Sequence, residues 1–417
     1  MKMHKLYKAS LLTGLILTLL FQAGKGQNLN EYLEMAGENH PGIRAAYDEY
    51  YAALEKVPQV GTLPDPKISF GYFISPVETR LGPQQFKVSL SQMFPWFGTL
   101  QEKEKMASEQ ARVKYQQFIN KRNQVYKQVK TEWYRMYKTL EAMRITEENL
   151  EILNTLKKLS RKNYENDKAP MTDLLRIDVN VREQENRLSE LKERLSSQKT
   201  DFNLLLNRQP GDSLALPKTI QSDTFDTVAY RDSLSRNPGL KALENKETAL
   251  QHQYEVDRKQ GYPDISLGLD YAVIGKRQDM QVDNSGRDVI MPMVGISIPL
   301  YRNKYSAMKE ETSHQIQAVQ SLQQEKMNSL SSQYKQKEEQ YINALRDIDL
   351  YREQVKETER IYSLLKTKYS ADGEKFFELL RTRLMVLEYQ LKLEKARANR
   401  NIAVADLEYL TNQNLQP

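Results

Sequence analysis

"PKISFGYFISP", residues 66–76, decides how the rest of the chain is read. Ile68, Phe70, Tyr72 and Ile74 fall on one side of it, with Lys67, Ser69, Gly71 and Ser75 on the other. A period of two predicts a strand. Three further stretches carry the same pattern. In "QFKVSLSQMFP" (85–95), Phe86, Val88, Leu90 and Phe94 oppose Lys87, Ser89 and Ser91; in "DISLGLDYAV" (264–273), Ile265, Leu267, Leu269, Tyr271 and Val273 oppose Ser266, Gly268 and Asp270. In "VIMPMVGISIP" (289–299), Ile290, Val294, Ile296 and Ile298 oppose Gly295 and Ser297. Each strand has one greasy face and one small, polar face.

Any half-buried antiparallel sheet alternates in this way. A membrane-spanning sheet fits three further details. Each strand is about 10 residues, enough for a tilted crossing of the hydrocarbon layer. Phe94, Trp96, Phe97 and Tyr301 gather at strand ends, where interfacial rings sit. The connections "PVETRLGPQQ" (76–85) and "GKRQDMQVDNSGRD" (275–288) are polar enough for external loops. Four strands cannot close a barrel, and an open edge in lipid strands unpaired backbone groups at several kcal/mol each. The chain is therefore expected to oligomerise. Two copies would give eight strands and a filled interior, three would give twelve and a bore. Small residues on the polar side (Gly71, Ser89, Ser91, Gly268, Ser297) favour the bore.

The remainder reads as long helix, and the chain is written twice. "NHPGI" (39–43) returns as "RNPGL" (236–240), and "PDPKISFGY" (64–72) as "PDISLGL" (263–269). "NYENDKAPMTDLLR" (163–176) aligns without gaps on "KYSADGEKFFELLR" (368–381), and "DFNLLLN" (201–207) on "DLEYLTN" (406–412). A period this long means two copies rather than a solenoid of short units. The expected plan is a first repeat at 27–208, a Pro/Gly/Ser-rich linker at 209–225 and a second repeat at 226–417. Each repeat runs helix, two strands, a very long helix, a break and a returning helix. The predicted spans are 28–57, 66–75, 85–95, 100–166 and 171–208, then 228–259, 264–274, 289–299, 303–371 and 374–412.

At about 1.5 Å per residue, the helix over 100–166 would be on the order of 100 Å long, more than a compact globule needs. Leu174, Ile177, Val181, Leu188, Leu191, Leu195, Phe202 and Leu205 step by three, four or seven, a coiled-coil seam. Its counterpart carries Leu380, Leu384, Leu387 and Leu391, with Val386 and Leu393 on an adjacent line. Helices with two seams pack on both sides and can wall a hollow cylinder. The chain reverses at "NDKAP" (166–170) and "SADGE" (370–374), where Pro170 and Gly373 are the breakers.

Composition narrows the function. Of 417 residues 28% are charged, and the mean hydropathy of −0.70 excludes a bundle of buried membrane helices. The one apolar run, Leu11–Phe21, follows Lys2, Lys5 and Lys8 and precedes Ala23, Gly24 and Gly26, which predicts a signal peptide at 1–26. There is no cysteine, hence no disulfide and no lipid anchor. A formal charge of +6 without a basic patch gives no nucleic-acid partner. The histidines are His4, His40, His252 and His314, with no pairing at ligand spacing, so neither metal nor cofactor is expected. His40, beside Pro41, reads as a helix cap. No phosphate loop or nucleophile motif is present, so no catalytic residue is assigned and energy must come from a partner.

The duplicated plan, the "LPDP" before a strand, the "SQMFPWFG" after one and the tips "Y…TDLLR" and "Y…FELLR" resemble the TolC family of outer-membrane efflux proteins. The likeness is nearest to its heavy-metal and multidrug branch, the CzcC and CusC type. It spans nearly all of the chain after the signal. It implies a mainly α fold with four strands per chain in a shared transmembrane β-barrel, a homotrimer, and a periplasmic helical tunnel closed at its tip. It also implies a periplasmic adaptor that joins the duct to an inner-membrane pump, proton-driven in this branch. By position, the adaptor-docking tips are Tyr164, Asp167, Pro170, Asp173, Leu174 and Leu175, and Tyr369, Asp372, Gly373, Glu378, Leu379 and Leu380. The family usually has glycine three residues after the tip tyrosine, where this chain has Asp167 and Asp372. Asp173, Asp178, Glu374 and Glu378 are candidates for acidic rings around the aperture, favouring cations, or for helix-end charges that complement dipoles. The leading reading is a passive exit duct for small solutes, drugs or metal ions. Beside it stand the duct of a protein secretion machine and an exported coiled-coil scaffold without a pore.

Overall fold

The computed structural model describes residues 29–222, 224–226 and 233–413. The predicted signal peptide and residues 228–232 of the helix predicted at 228–259 lie outside them, and the described part of that helix is broken before Pro238. In chain order the elements are α1 (Leu29–Asn39), α2 (Pro41–Gly61), β1 (Lys67–Thr79), β2 (Gly82–Phe94), α3 (Thr99–Glu165) and α4 (Met171–Leu205). They continue with α5 (Pro238–Lys259), β3 (Asp264–Ile274), β4 (Val289–Ser297), α6 (Arg302–Asp372) and α7 (Phe376–Thr411). The fold is mainly helical with four antiparallel strands, as the sequence predicts. Two compact units result. Residues 45–120 and 235–329 form the sheet unit; the described residues within 1–44, 121–234 and 330–417 form the hairpin unit.

In the sheet unit the strand order is β1-β2-β3-β4, so the central β2–β3 pairing joins strands from the two halves of the sequence. The ladder sets Ile68 against Leu90, Leu90 against Leu269 and Leu269 against Pro292, one row of the apolar face across all four strands. The expected loop at 76–85 is mostly strand. β1 and β2 run on to Thr79 and Gly82, and only Arg80 and Leu81 turn. A register shift between Tyr72 and Val77 takes up Pro76, and the ladder then resumes. Gly82 sits at φ +131°, and a Cβ there would lie 1.9 Å from the Gly275 carbonyl oxygen. The 275–288 connection folds over this turn. Gly275 N–H donates to Pro83 O at 2.7 Å and Gly286 N–H to Leu81 O at 2.8 Å.

In the hairpin unit most of the predicted seam residues are buried, while Leu188, Leu205, Leu384 and Leu391 are half-buried. Leu174, Ile177, Val181, Leu191, Leu195 and Phe202 of α4 are inside, as are Leu380, Val386, Leu387 and Leu393 of α7. Near the chain reversals Leu153, Leu156, Ile177, Tyr362, Tyr369 and Leu379 share one core, drawn from both hairpins. A second knot packs Tyr32 on Phe202 with ring centroids 5.1 Å apart and on Trp133 at 5.5 Å.

The single helix expected at 28–57 is two, broken at His40 because the residue before a proline is pushed out of the helical region. His40 Nδ1 accepts from Gly42 N–H at 3.0 Å. In the second repeat the same position is Asn237, whose Oδ1 accepts from Gly239 N–H at 2.9 Å. The cap is thus duplicated with a change of side chain. Burial, and then the Lys121 charge, push the His40 pKa below its ordinary value. Its stabilising contribution is full above the ordinary histidine range, around pH 6.5, and is lost as pH falls through the lowered folded value. The unfolding midpoint should accordingly drop more between pH 7 and pH 5 in the native chain than in His40→Asn, which keeps the cap without titrating. His40→Ala should cost about 1 kcal/mol at pH 7 and less at pH 5. Identical pH curves for the native chain and His40→Asn would contradict the assignment.

Candidate functional site

The sheet presents its greasy face outward. Phe70 is 77% exposed, Ile74 91% and Val294 72%, and Tyr72, Leu90, Leu267, Leu269, Ile290 and Ile296 are exposed with them. Water would charge heavily for so continuous an apolar surface, and patches of this kind mark membrane or protein contacts. The opposite face carries Ser69, Ser89 and Asp270 in one row. Asp270 is only 2% exposed and forms an ion pair with Lys87 of the neighbouring strand. Phe73 breaks the alternation and is half-buried, next to the register shift. Within one chain β1 and β4 each pair on one side alone, leaving two open edges.

At the strand ends Phe97 and Tyr301 are well exposed, while Phe94 and Trp96 are half-buried. Trp96 stacks on Tyr262 with centroids 5.1 Å apart, and its backbone N–H donates to Asp264 Oδ1 at 3.2 Å. Tyr262 belongs to this aromatic group and went unnoticed in the sequence, since it precedes its strand by two residues rather than lying on the alternating pattern.

The hairpin tips treat their duplicated residues differently. Asp167 itself takes the left-handed conformation, φ +57°, that glycine favours, while Asp372 remains the last residue of α6. The second reversal instead uses Gly373 (φ +75°) and Lys375 (φ +64°). A Cβ on Gly373 would lie 2.5 Å from the Lys168 carbonyl oxygen, so only glycine lets the two reversals touch there. Tyr164 is exposed, but its counterpart Tyr369 is fully buried. The Tyr369 hydroxyl lies 2.8 Å from Ser160 Oγ, and Asn163 Nδ2 donates to its carbonyl at 3.3 Å. Leu174, Leu379 and Leu380 are core residues; Leu175, counterpart of Leu380, is 53% exposed, and Pro170 is exposed with it.

The four acids also separate. Asp173 is buried, and that burial pushes its carboxyl above the usual range, with Arg176 opposing. Asp178 is ion-paired with Lys157. Glu374 and Glu378 are exposed, 3.5 Å from Lys368 and 3.6 Å from Lys375 respectively. Sequence reasoning missed Arg383, buried in α7, whose Nε donates to Asn149 Oδ1 at 2.7 Å and whose guanidinium lies 5.7 Å from the Tyr362 ring centre. No spacing signal distinguishes it from the many exposed arginines. Among the described residues no acid and histidine cluster has metal-binding geometry, and no helix is long and apolar enough to cross a membrane.

Comparison with known proteins follows the same lines. Residues 229–413 match the family model of the outer membrane efflux proteins. No curated protein matches the chain. The structure of CusC superposes with a TM-score of 0.78 at 13% identity, over 92% of this chain and 91% of that one. VceC from Vibrio cholerae gives 0.75 at 15%, over 92% and 96%, and the open state of Neisseria gonorrhoeae MtrE gives 0.73 at 13%, over 93% and 89%. These likenesses establish the fold over both halves, and the family model covers the second. With its two strands per half, long paired helices and outward apolar sheet face, the chain has the fold of these outer membrane proteins, and its second half matches the outer membrane efflux protein family model.

Proposed function

We propose that the chain is one third of a homotrimeric exit duct, passively conducting small solutes delivered by an inner-membrane pump and a periplasmic adaptor. One observation carries the reading: a four-stranded sheet that bares its hydrocarbon face and leaves both edges open. Three copies supply twelve strands, which closes the edges and leaves a bore lined by the face of Ser69, Ser89, Lys87 and Asp270. The hairpin unit then stands in the periplasm after removal of the signal peptide at 1–26, and 27–208 and 226–417 are the two copies of an ancestral half. Of the tip residues, the exposed Tyr164, Asp167, Pro170, Leu175, Glu374 and Glu378 are those an adaptor can reach; Tyr369, Leu379 and Leu380 instead hold the tip together.

Drugs or metal ions fit such a duct equally well, because no tight ligand cluster is needed for passage. Purified protein in planar bilayers should give discrete conductance steps, with a mass in detergent of three chains. A stable single chain that passes no current would leave the scaffold reading instead. A neighbouring gene for an ATP-driven exporter, in place of a proton-driven pump and adaptor, would favour the secretion duct.

A further inference from the structure

The hairpin unit contains a groove of about 600 Å³ between α3, α4 and α7. Its floor is hydrocarbon, built from Leu191, Leu384, Leu387 and Leu391. Lys138 of α3, Arg187 and Arg194 of α4 and Lys395 of α7 border it. None of these four has an acidic partner among the described residues, whereas the nearby acids are largely occupied. Glu388 pairs with Lys392 at 2.6 Å. The two Glu394 oxygens are taken by the Tyr137 hydroxyl at 2.7 Å and by Arg397 at 2.6 Å. Glu183 alone remains opposite four cations.

Lys138 lies deepest. Burial, then Lys395, Arg135 and Arg194, hold its ammonium below the ordinary lysine range. Like charges gathered over an apolar floor repel one another in the empty chain, and a bound acid relieves that repulsion. The same floor suits a hydrocarbon tail.

We propose that this groove binds an amphipathic anion, its acidic head among Lys138, Arg187, Arg194 and Lys395 and its hydrocarbon body along Leu191, Leu384, Leu387 and Leu391. The ligand comes from soluble amphipathic acids, because the groove lies in the hairpin unit that the proposed duct holds outside the bilayer. The inference does not depend on conduction, so binding and current can fail separately.

The test uses the full chain in zwitterionic lipid discs, titrated calorimetrically with octyl phosphate below its micelle concentration. One saturable site per chain is expected. Inorganic phosphate should bind at least about tenfold more weakly, and octyltrimethylammonium should not bind the site. Lys138→Met combined with Arg194→Gln should lower octyl phosphate affinity by at least about tenfold. Lys138→Met alone should raise the unfolding midpoint of the ligand-free protein, which separates a ligand site from a merely structural lysine. Anionic lipid in the discs should leave octyl phosphate binding unchanged, and competition by it would contradict a soluble ligand at this groove. Absence of saturable binding, equal affinity in the double variant, or a lowered midpoint in Lys138→Met would overturn the proposal. In the first case a neighbouring copy's acids fill the groove.

Discussion

Leu90→Arg together with Leu269→Arg should abolish stable insertion into the outer membrane. The two side chains are directly paired on the exposed apolar face of the central strands. An arginine on the lipid side of a transmembrane barrel costs about 2–4 kcal/mol near the bilayer midplane, so two of them cost about 4–8 kcal/mol, a large share of a typical domain's stability of about 5–15 kcal/mol. Lysine at Ser69 or Ser89, on the opposite face, should be tolerated, because that face already accommodates Lys87 and Asp270. Membrane fractionation and the heat-resistant oligomer band provide the readout. Normal insertion of the double arginine variant would mean that this face does not meet lipid, and removal of residues 66–96 should then also leave insertion intact.

The second large effect lies in the tip core. Leu379 is fully buried between Tyr369, Phe376 and the residues of α3 and α4 that share its cluster. Truncating it to alanine removes packing that the surrounding helices cannot fully recover, at about 2–5 kcal/mol. Amide exchange over 153–181 and 362–386 should quicken in Leu379→Ala, and proteolysis should begin at the two reversals. Leu175→Ala, its exposed neighbour in the repeat alignment, should leave both unchanged. Equal effects of the two substitutions would remove the distinction between the buried and the exposed halves of the tip.

The duplication made much of this fold legible. Helix and strand spans read from one half could be checked against the other, and the strand period of two was clear at Ile265–Val273 and, apart from Phe73, at Ile68–Ile74. Most predicted ends fall within a few residues of the observed ones. The failures have local causes. The polarity of residues 76–85 suggested a loop, but a register shift absorbs Pro76 and a two-residue turn replaces the loop. Pro41 divides a helix whose apolar spacing runs through it.

The tips were less legible because equivalence in sequence is not equivalence in environment. Tyr164 and Tyr369 align, as do Leu175 and Leu380, yet one of each pair is exposed and the other buried. Tyr369 and Leu380 share a core with residues of the other half of the chain, a tertiary fact that no spacing within one helix encodes. Arg383 illustrates the same limit. Its burial against Asn149 and Tyr362 depends on three helices that meet far apart in sequence.

Because the chain has no cysteine, single cysteines placed at Ser69, Phe70, Ser89 and Leu90 can each carry a spin label without background. In the membrane-embedded protein, labels at 70 and 90 should collide with dissolved oxygen and be shielded from a water-soluble nickel complex, while labels at 69 and 89 should show the reverse. That alternation is the signature of a wall with lipid on one side and an aqueous bore on the other. Nickel access at all four positions would contradict it.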